Sequence, residues 1–161
     1  MNLPKLFIAI AFLIVVACVT VSAQTAAMQE KPKFDAELAK KLGADKYGMK
    51  NYVLVILKTG PKDTKIKGKE REEIFKSHMA NINRLAAEGK LAVAGPFGKN
   101  DLSFRGLFIF NVTTVEEAKK LTDTDPVIKS GVMIVELVTW YGSAALMETS
   151  KIHEKIAETS L

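Results

Sequence analysis

The chain has 161 residues, of which 48% are hydrophobic and 25% charged, enough apolar material for one ordinary folded domain. Its 23 basic and 18 acidic side chains give a formal net charge of +5, but these charges are scattered rather than gathered into a stripe. The lysine-rich stretch 58–69 contains no aromatic residue for base stacking, so the composition argues against a nucleic-acid-binding protein.

The N-terminus predicts an export signal. Residues 6–19 form an unbroken apolar run, shorter than the roughly 18 to 20 residues of a membrane span, and small residues up to Ala23 follow it. We expect residues 1–23 to be a cleaved signal peptide and the mature protein to be periplasmic or secreted. The alternative is lipoprotein processing at Cys18, which would anchor the protein to the membrane through a lipid.

Cys18 is the only cysteine of the chain. Either form of processing leaves the mature protein without a disulfide or a thiol nucleophile. An exported chain without disulfides suits a bacterial envelope protein that is stabilised by its hydrophobic core.

Residues 24–48 are predicted to be a linker followed by a short N-terminal helix. The segment 24–33 is polar and lacks periodicity, whereas 34–43 has helical character, with Asp35 near its start and Gly43 as a stop signal.

The main domain is predicted over residues 49–141, and its pattern alternates strands and helices. We expect four strands at 51–58, 91–94, 106–112 and 132–140, and two helices at 69–88 and 115–122. The order is βαββαβ, which is typical of a ferredoxin-like α+β fold with an antiparallel sheet and two helices on one face. Because the strands are apolar on both sides, we expect a second copy of the chain to cover the other face, giving a homodimer.

The tail, 142–161, is predicted to be a further helix. Its apolar side, made of Leu146, Met147, Ile152, Ile156 and Leu161, is expected to pack on the domain or on the dimer mate. His153 lies among charged neighbours, which favours a surface role.

His78 lies on the apolar side of the first long helix. Positions 74, 78, 82 and 85 share one helical face, so the imidazole points toward the sheet. A histidine beside a carboxylate in such a place can transfer protons near neutral pH. Periodicity alone favours the other interpretation, a neutral core histidine bonded to a backbone carbonyl.

Two aspartates and one turn are further candidates for a site. Asp125 precedes Pro126 and Asp123 is close by, and either could be a reactive carboxylate or an ordinary turn residue. Gly95 and Pro96 end the second strand and Arg105 precedes the third, which is compatible with a pocket rim or with a simple hairpin connection.

Several chemistries have no support in the sequence. Two histidines and no mature cysteine do not suggest a metal site, and GxSxG, HExxH and phosphate-binding Gly-rich motifs are absent. We therefore predict neither a metal nor a cofactor.

An ordered set of motifs resembles the YCII-related (YciI-like) family over residues 50–141. The set consists of His78 followed by NRLAAEGKLAVAGPFG, then FRGLFIFNVTTVEEAKKLTDTDP, IKSG and the closing VTW. The resemblance implies a subunit that pairs into a dimeric α+β barrel, with a pocket between helices and sheet. It also implies that His78 and Asp125 form a catalytic dyad, since members resemble enzymes that eliminate or isomerise substituted hydroxylated rings. The export signal and the flanking helices depart from the family pattern.

Taken together, the sequence favours a proton-transfer enzyme of lyase or isomerase type acting on a small cyclic or phenolic molecule. His78 would be the general acid/base, Asp125 would orient it, and Arg105, Gly95 and Pro96 would line the substrate pocket. The alternative is a non-catalytic envelope protein that binds a small molecule. A weaker alternative is a haem-handling or monooxygenase protein with His78 as the iron ligand.

Overall fold

The structure, a computed structural model, describes residues 33–159. The predicted cleavage site after Ala23, Cys18 and Leu161 lie outside the described residues. None of the helices between 33 and 159 has the length and apolar character that spanning a membrane requires.

The described chain contains five α-helices and four strands. In chain order they are α1 Ala36–Leu42, β1 Met49–Thr59, α2 Gly68–Ala87, β2 Leu91–Pro96, β3 Phe104–Phe110, α3 Val115–Thr122, α4 Pro126–Lys129, β4 Met133–Ser143, a 3-10 helix Ala144–Glu148 and α5 Thr149–Ile156. The predicted βαββαβ core is therefore present, with the flanking helix α1 before it.

The four strands form one antiparallel sheet in the order β2-β3-β1-β4. This order places the first and third strands in the centre, as in a ferredoxin-like fold, and confirms the predicted fold class. The long pairing of β1 with β4 runs from Met49↔Ser143 to Thr59↔Met133 without a break in register.

Local signals set the helix ends. Asp35 and Thr114 accept a hydrogen bond from the backbone N–H three residues on and so cap α1 and α3. Gly89 follows α2 with φ 67°, a left-handed conformation that glycine adopts without a steric penalty.

The two faces of the sheet differ in how well they are covered. On the helix side, Val53, Val55, Phe108 and Phe110 are buried together with Leu85 of α2. Each such side chain contributes about 1.5–3 kcal/mol on burial. The helices therefore bury the apolar side chains of this face of the sheet.

The opposite face is only partly covered. Leu146 and Met147 of the 3-10 helix pack on Tyr52 and Ile109 there. Along β4, however, three alternate residues remain exposed, namely Ile134 at 46%, Val138 at 53% and Trp140 at 37%. The predicted second copy would pack here.

Three details differ from the sequence predictions. Strand β3 begins and ends two residues earlier than expected, so Asn111 and Val112 lie beyond it. Asp125 and Pro126 were predicted only to break α3, but they also form the start of the short helix α4. The tail divides into two helices: Leu146 and Met147 of the first pack on the domain, whereas Ile152 and Ile156 of the second are 57% and 75% exposed on the single chain, so their packing on a dimer mate stays a prediction.

Candidate functional site

His78 lies on the face of α2 that packs against the sheet, and it is 8% exposed. Two aromatic rings flank the imidazole. The ring of Phe75, one turn earlier, meets it edge-on at 6.1 Å between centroids, and the ring of Phe108 on β3 lies 6.0 Å away in a tilted arrangement. These rings hold the imidazole in an apolar environment and restrict its rotation.

Asp125 reaches the imidazole of His78. Nδ1 lies 2.9 Å from Oδ1 and 2.8 Å from Oδ2 of this carboxylate, which is 1% exposed. Since a carboxylate only accepts hydrogen bonds, Nδ1 carries the hydrogen and donates it. In the neutral imidazole this fixes the tautomer and leaves Nε2 with a free lone pair.

Asp125 also caps the N-terminus of helix α4. Its Oδ1 accepts a hydrogen bond of 3.1 Å from the backbone N–H of Val127, and Pro126 occupies the first helical position. The carboxylate is thereby held by its own backbone as well as by the histidine, so its position is well defined.

A hydrogen-bond network connects the turn before Asp125 to helix α2. Arg84 donates to Oδ1 of Asn81 at 2.8 Å and to the hydroxyl of Thr124 at 3.2 Å. Thr124 also donates to the carbonyl of Leu121 at 2.7 Å. Asn81 lies one turn after His78, so the same stretch of α2 positions both partners of the His78–Asp125 pair.

Asp123, the rival carboxylate of the sequence analysis, lies elsewhere. It pairs with Lys119 at 2.8 Å on the surface, where its side chain is 55% exposed. The structure therefore brings Asp125, and not Asp123, to the histidine.

His78 also lines a cavity of about 1020 Å³. Apolar side chains from α2 and the sheet make up much of its wall, including Phe75, Met79, Ile82, Leu91 and Phe108. Among residues 33–159, Nε2 of His78 makes no hydrogen bond to another residue. The imidazole thus has one nitrogen held by the protein and one available to a molecule in the cavity.

Arg105, Gly95 and Pro96, which were predicted to bind substrate, line the same cavity. Arg105 lies 3.3 Å from Oδ1 of Asp63, and Arg71 approaches the same oxygen at 2.7 Å. The hydrogen bond from Arg71 is the main reason that the pKa of Asp63 is lowered. Two guanidinium groups therefore share one carboxylate at this side of the cavity.

Neither the backbone conformation nor the space around residue 95 requires a glycine there. Its φ is not positive, and a Cβ built on it would meet no atom within 4 Å. The missing side chain instead leaves space at the wall of the cavity.

Helix α5 is the part of the site that sequence reasoning missed. His153 is exposed as predicted, yet it lines the cavity together with Thr149, Ser150 and Glu154. The four-residue spacing of 149/153 and 150/154 was visible in the sequence. Nothing in that spacing, however, revealed which side of the tail helix turns toward the domain.

Comparisons with known proteins identify a domain family and a similar solved structure. The family model of the YCII-related domain matches residues 52–141, more than half of the chain. A similar solved structure is the 5-chloro-2-hydroxyhydroquinone dehydrochlorinase from Burkholderia phenoliruptrix AC1100 in complex with 2,5-dihydroxybenzoquinone. It is 22% identical, the match covers 55% of this chain and 90% of that one, and the TM-score is 0.39. No curated protein matches the chain significantly.

Proposed function

The chain belongs to the YCII-related domain family, and we propose that it is a proton-transfer enzyme of lyase or isomerase type that acts on a small cyclic or phenolic molecule. One observation carries the proposal. The buried imidazole of His78 is held by the Asp125 carboxylate through Nδ1, while the same ring lines a cavity large enough for a small-molecule substrate.

The reaction would begin at Nε2 of His78. The lone pair of this nitrogen accepts a proton from a substrate hydroxyl or carbon, and the imidazole becomes an imidazolium. If the proton returns to a different substrate atom, the result is an isomerisation. If a leaving group departs with the electron pair of its bond and takes up the proton, the result is an elimination.

Asp125 would support this step without exchanging a proton itself. Its carboxylate keeps the ring in the tautomer that presents Nε2, and it stabilises the positive charge that develops on the imidazolium. The apolar flanks formed by Phe75 and Phe108 lower the local dielectric constant, which strengthens that attraction.

The cavity favours a flat, largely apolar ligand. The aromatic and aliphatic residues around His78 offer surface for a ring, and Gly95 leaves room beside it. The guanidinium of Arg105, which lines this cavity, would donate hydrogen bonds to an oxygen of such a ligand. The apolar run 6–19 supports export, so we place this activity in the periplasm or outside the cell.

Two substitutions of His78 test the catalytic role. In His78→Asn the side-chain amide keeps a donor near the position of Nδ1, so the bond to Asp125 is retained while Nε2 is lost. In His78→Gln the amide lies nearer the position of Nε2, so it points toward the cavity and not toward Asp125. We expect both variants to fold and to lose at least about 100-fold in turnover of a substituted hydroxylated ring.

Lys76→Ala is a matched control, because Lys76 is an exposed residue of the same helix. Turnover would be followed by mass spectrometry of products from a panel of substituted phenols and hydroquinones. Unchanged turnover in folded His78→Asn contradicts the role of His78. Saturable binding to the wild type without any product would instead favour the non-catalytic binding protein.

A further inference from the structure

Helix α5 presents one polar face to the cavity. The lining residues are Thr149, Ser150, His153 and Glu154, and the lining continues past the helix at Ala157. Positions that recur after four residues lie on one side of an α-helix. The cavity therefore has a second wall, separate from the wall that carries His78.

Packing within the single chain does not bury the apolar side of α5. A surface helix normally turns its apolar side toward the domain. Here Ile152 and Ile156 are 57% and 75% exposed, while the polar residues face the cavity. The polar side of α5 thus lies over a cavity whose opposite wall is largely apolar.

The polar groups of this wall are free to bind a ligand. Nδ1 of His78 is taken by Asp125, and Arg105 is paired with Asp63. By contrast, within residues 33–159 the side chains of Ser150 and His153 make no hydrogen bond to another residue. These two side chains can therefore donate hydrogen bonds to a ligand in the cavity or accept them from it.

We propose that α5 selects the substrate, with Ser150 and His153 as positioning residues for a polar group at a distance from the one that reacts at His78. The ligand class is a ring with two hydroxyl groups, one at His78 and one at α5. This inference rests on the proposed function for the identity of the reacting group. Because α5 lies outside the segment 52–141 matched by the family, the selectivity belongs to this chain's own C-terminal extension.

Affinities of hydroquinone and phenol for the full chain, measured by isothermal titration calorimetry, test the proposal. The two probes differ by one hydroxyl group. We expect the wild type to bind hydroquinone about fivefold more tightly than phenol, the size of effect that one neutral hydrogen bond gives. The double variant with Ser150→Ala and His153→Ala should bind both probes with the affinity that the wild type has for phenol.

Lys155→Ala on the same helix is the control, because Lys155 does not line the cavity and should leave the preference for hydroquinone unchanged. The proposal is overturned if the double variant keeps that preference, or if the wild type binds neither probe or both equally. If His78→Asn abolishes turnover but the α5 variant keeps the preference, recognition by α5 fails and the catalytic proposal stands. If the α5 variant loses the preference but the wild type turns over no ring, catalysis fails and recognition stands.

Discussion

Replacing Asp125 with alanine should destabilise the protein far more than replacing any exposed carboxylate. The side chain is 1% exposed, it accepts from Nδ1 of His78 at 2.8 and 2.9 Å, and it caps α4 through Val127 at 3.1 Å. Loss of a helix cap costs about 1 kcal/mol. Loss of a buried hydrogen bond to a charged group costs about 1.5–3 kcal/mol.

The free energy of unfolding should therefore fall by about 3 kcal/mol in Asp125→Ala, since the two losses concern different donors. For a domain of this size that corresponds to a decrease of about 10 °C in Tm. Asp125→Asn keeps an acceptor oxygen for the cap and for Nδ1, so we expect a loss of about 1 kcal/mol.

Urea unfolding followed by circular dichroism measures these differences, and Asp123→Ala is the control. Asp123 is two residues away, exposed and paired with Lys119, so its removal should cost at most about 0.5 kcal/mol. Equal losses for Asp125→Ala and Asp123→Ala would refute the role assigned to the Asp125 carboxylate. In a double-mutant cycle, His78→Ala and Asp125→Ala should couple by about 2 kcal/mol.

Three other changes probe the rest of the molecule. Because the pKa of Asp63 is lowered in the folded state, its ion pairs stabilise the protein above about pH 4 and this stabilisation is lost as the pH falls further; Asp63→Asn should flatten the acid limb of a pH series of thermal melts, and a limb as steep as that of the wild type would contradict this. Gly95→Val should change Tm by less than about 3 °C yet weaken hydroquinone binding, because it fills open space at the cavity wall; unaltered binding would count against Gly95 as part of the site. Val138→Lys should convert a dimer to a monomer in sedimentation equilibrium, since Val138 lies on the exposed apolar face; a wild type that sediments as a monomer removes the basis for this prediction.

Sequence alone was sufficient for the order and type of the core elements. The alternation in β3 sends Phe108 and Phe110 to the helix side and Leu107 and Ile109 to the other, because successive side chains of a strand point to opposite faces. The cap of α3 at Thr114 is likewise a local property, and α3 has the predicted bounds. The end of β3 was misplaced by two residues, since strand ends depend on the partner strands.

Side-chain orientation was predictable where it follows from local periodicity, and unpredictable where it depends on distant contacts. The helical repeat of α2 was enough to turn His78 toward the sheet. Its partner lies 47 residues further along the chain, and spacing offered Asp123 and Asp125 as equal candidates. The family resemblance favoured Asp125, and the packing of α4 against α2 gives the physical reason, because it buries this carboxylate and leaves that of Asp123 in solvent.

In helix α5, too, local periodicity was predictable and the orientation toward the domain was not. Its amphipathic sequence determined that a helix would form and which residues share a side, and it predicted that Ile152 and Ile156 face the domain or the dimer mate. The folded chain turns the polar side of α5 toward the cavity and leaves both isoleucines exposed. An amphipathic pattern fixes the two sides of a helix, whereas the side that faces inward is decided by the surface on which the helix comes to lie.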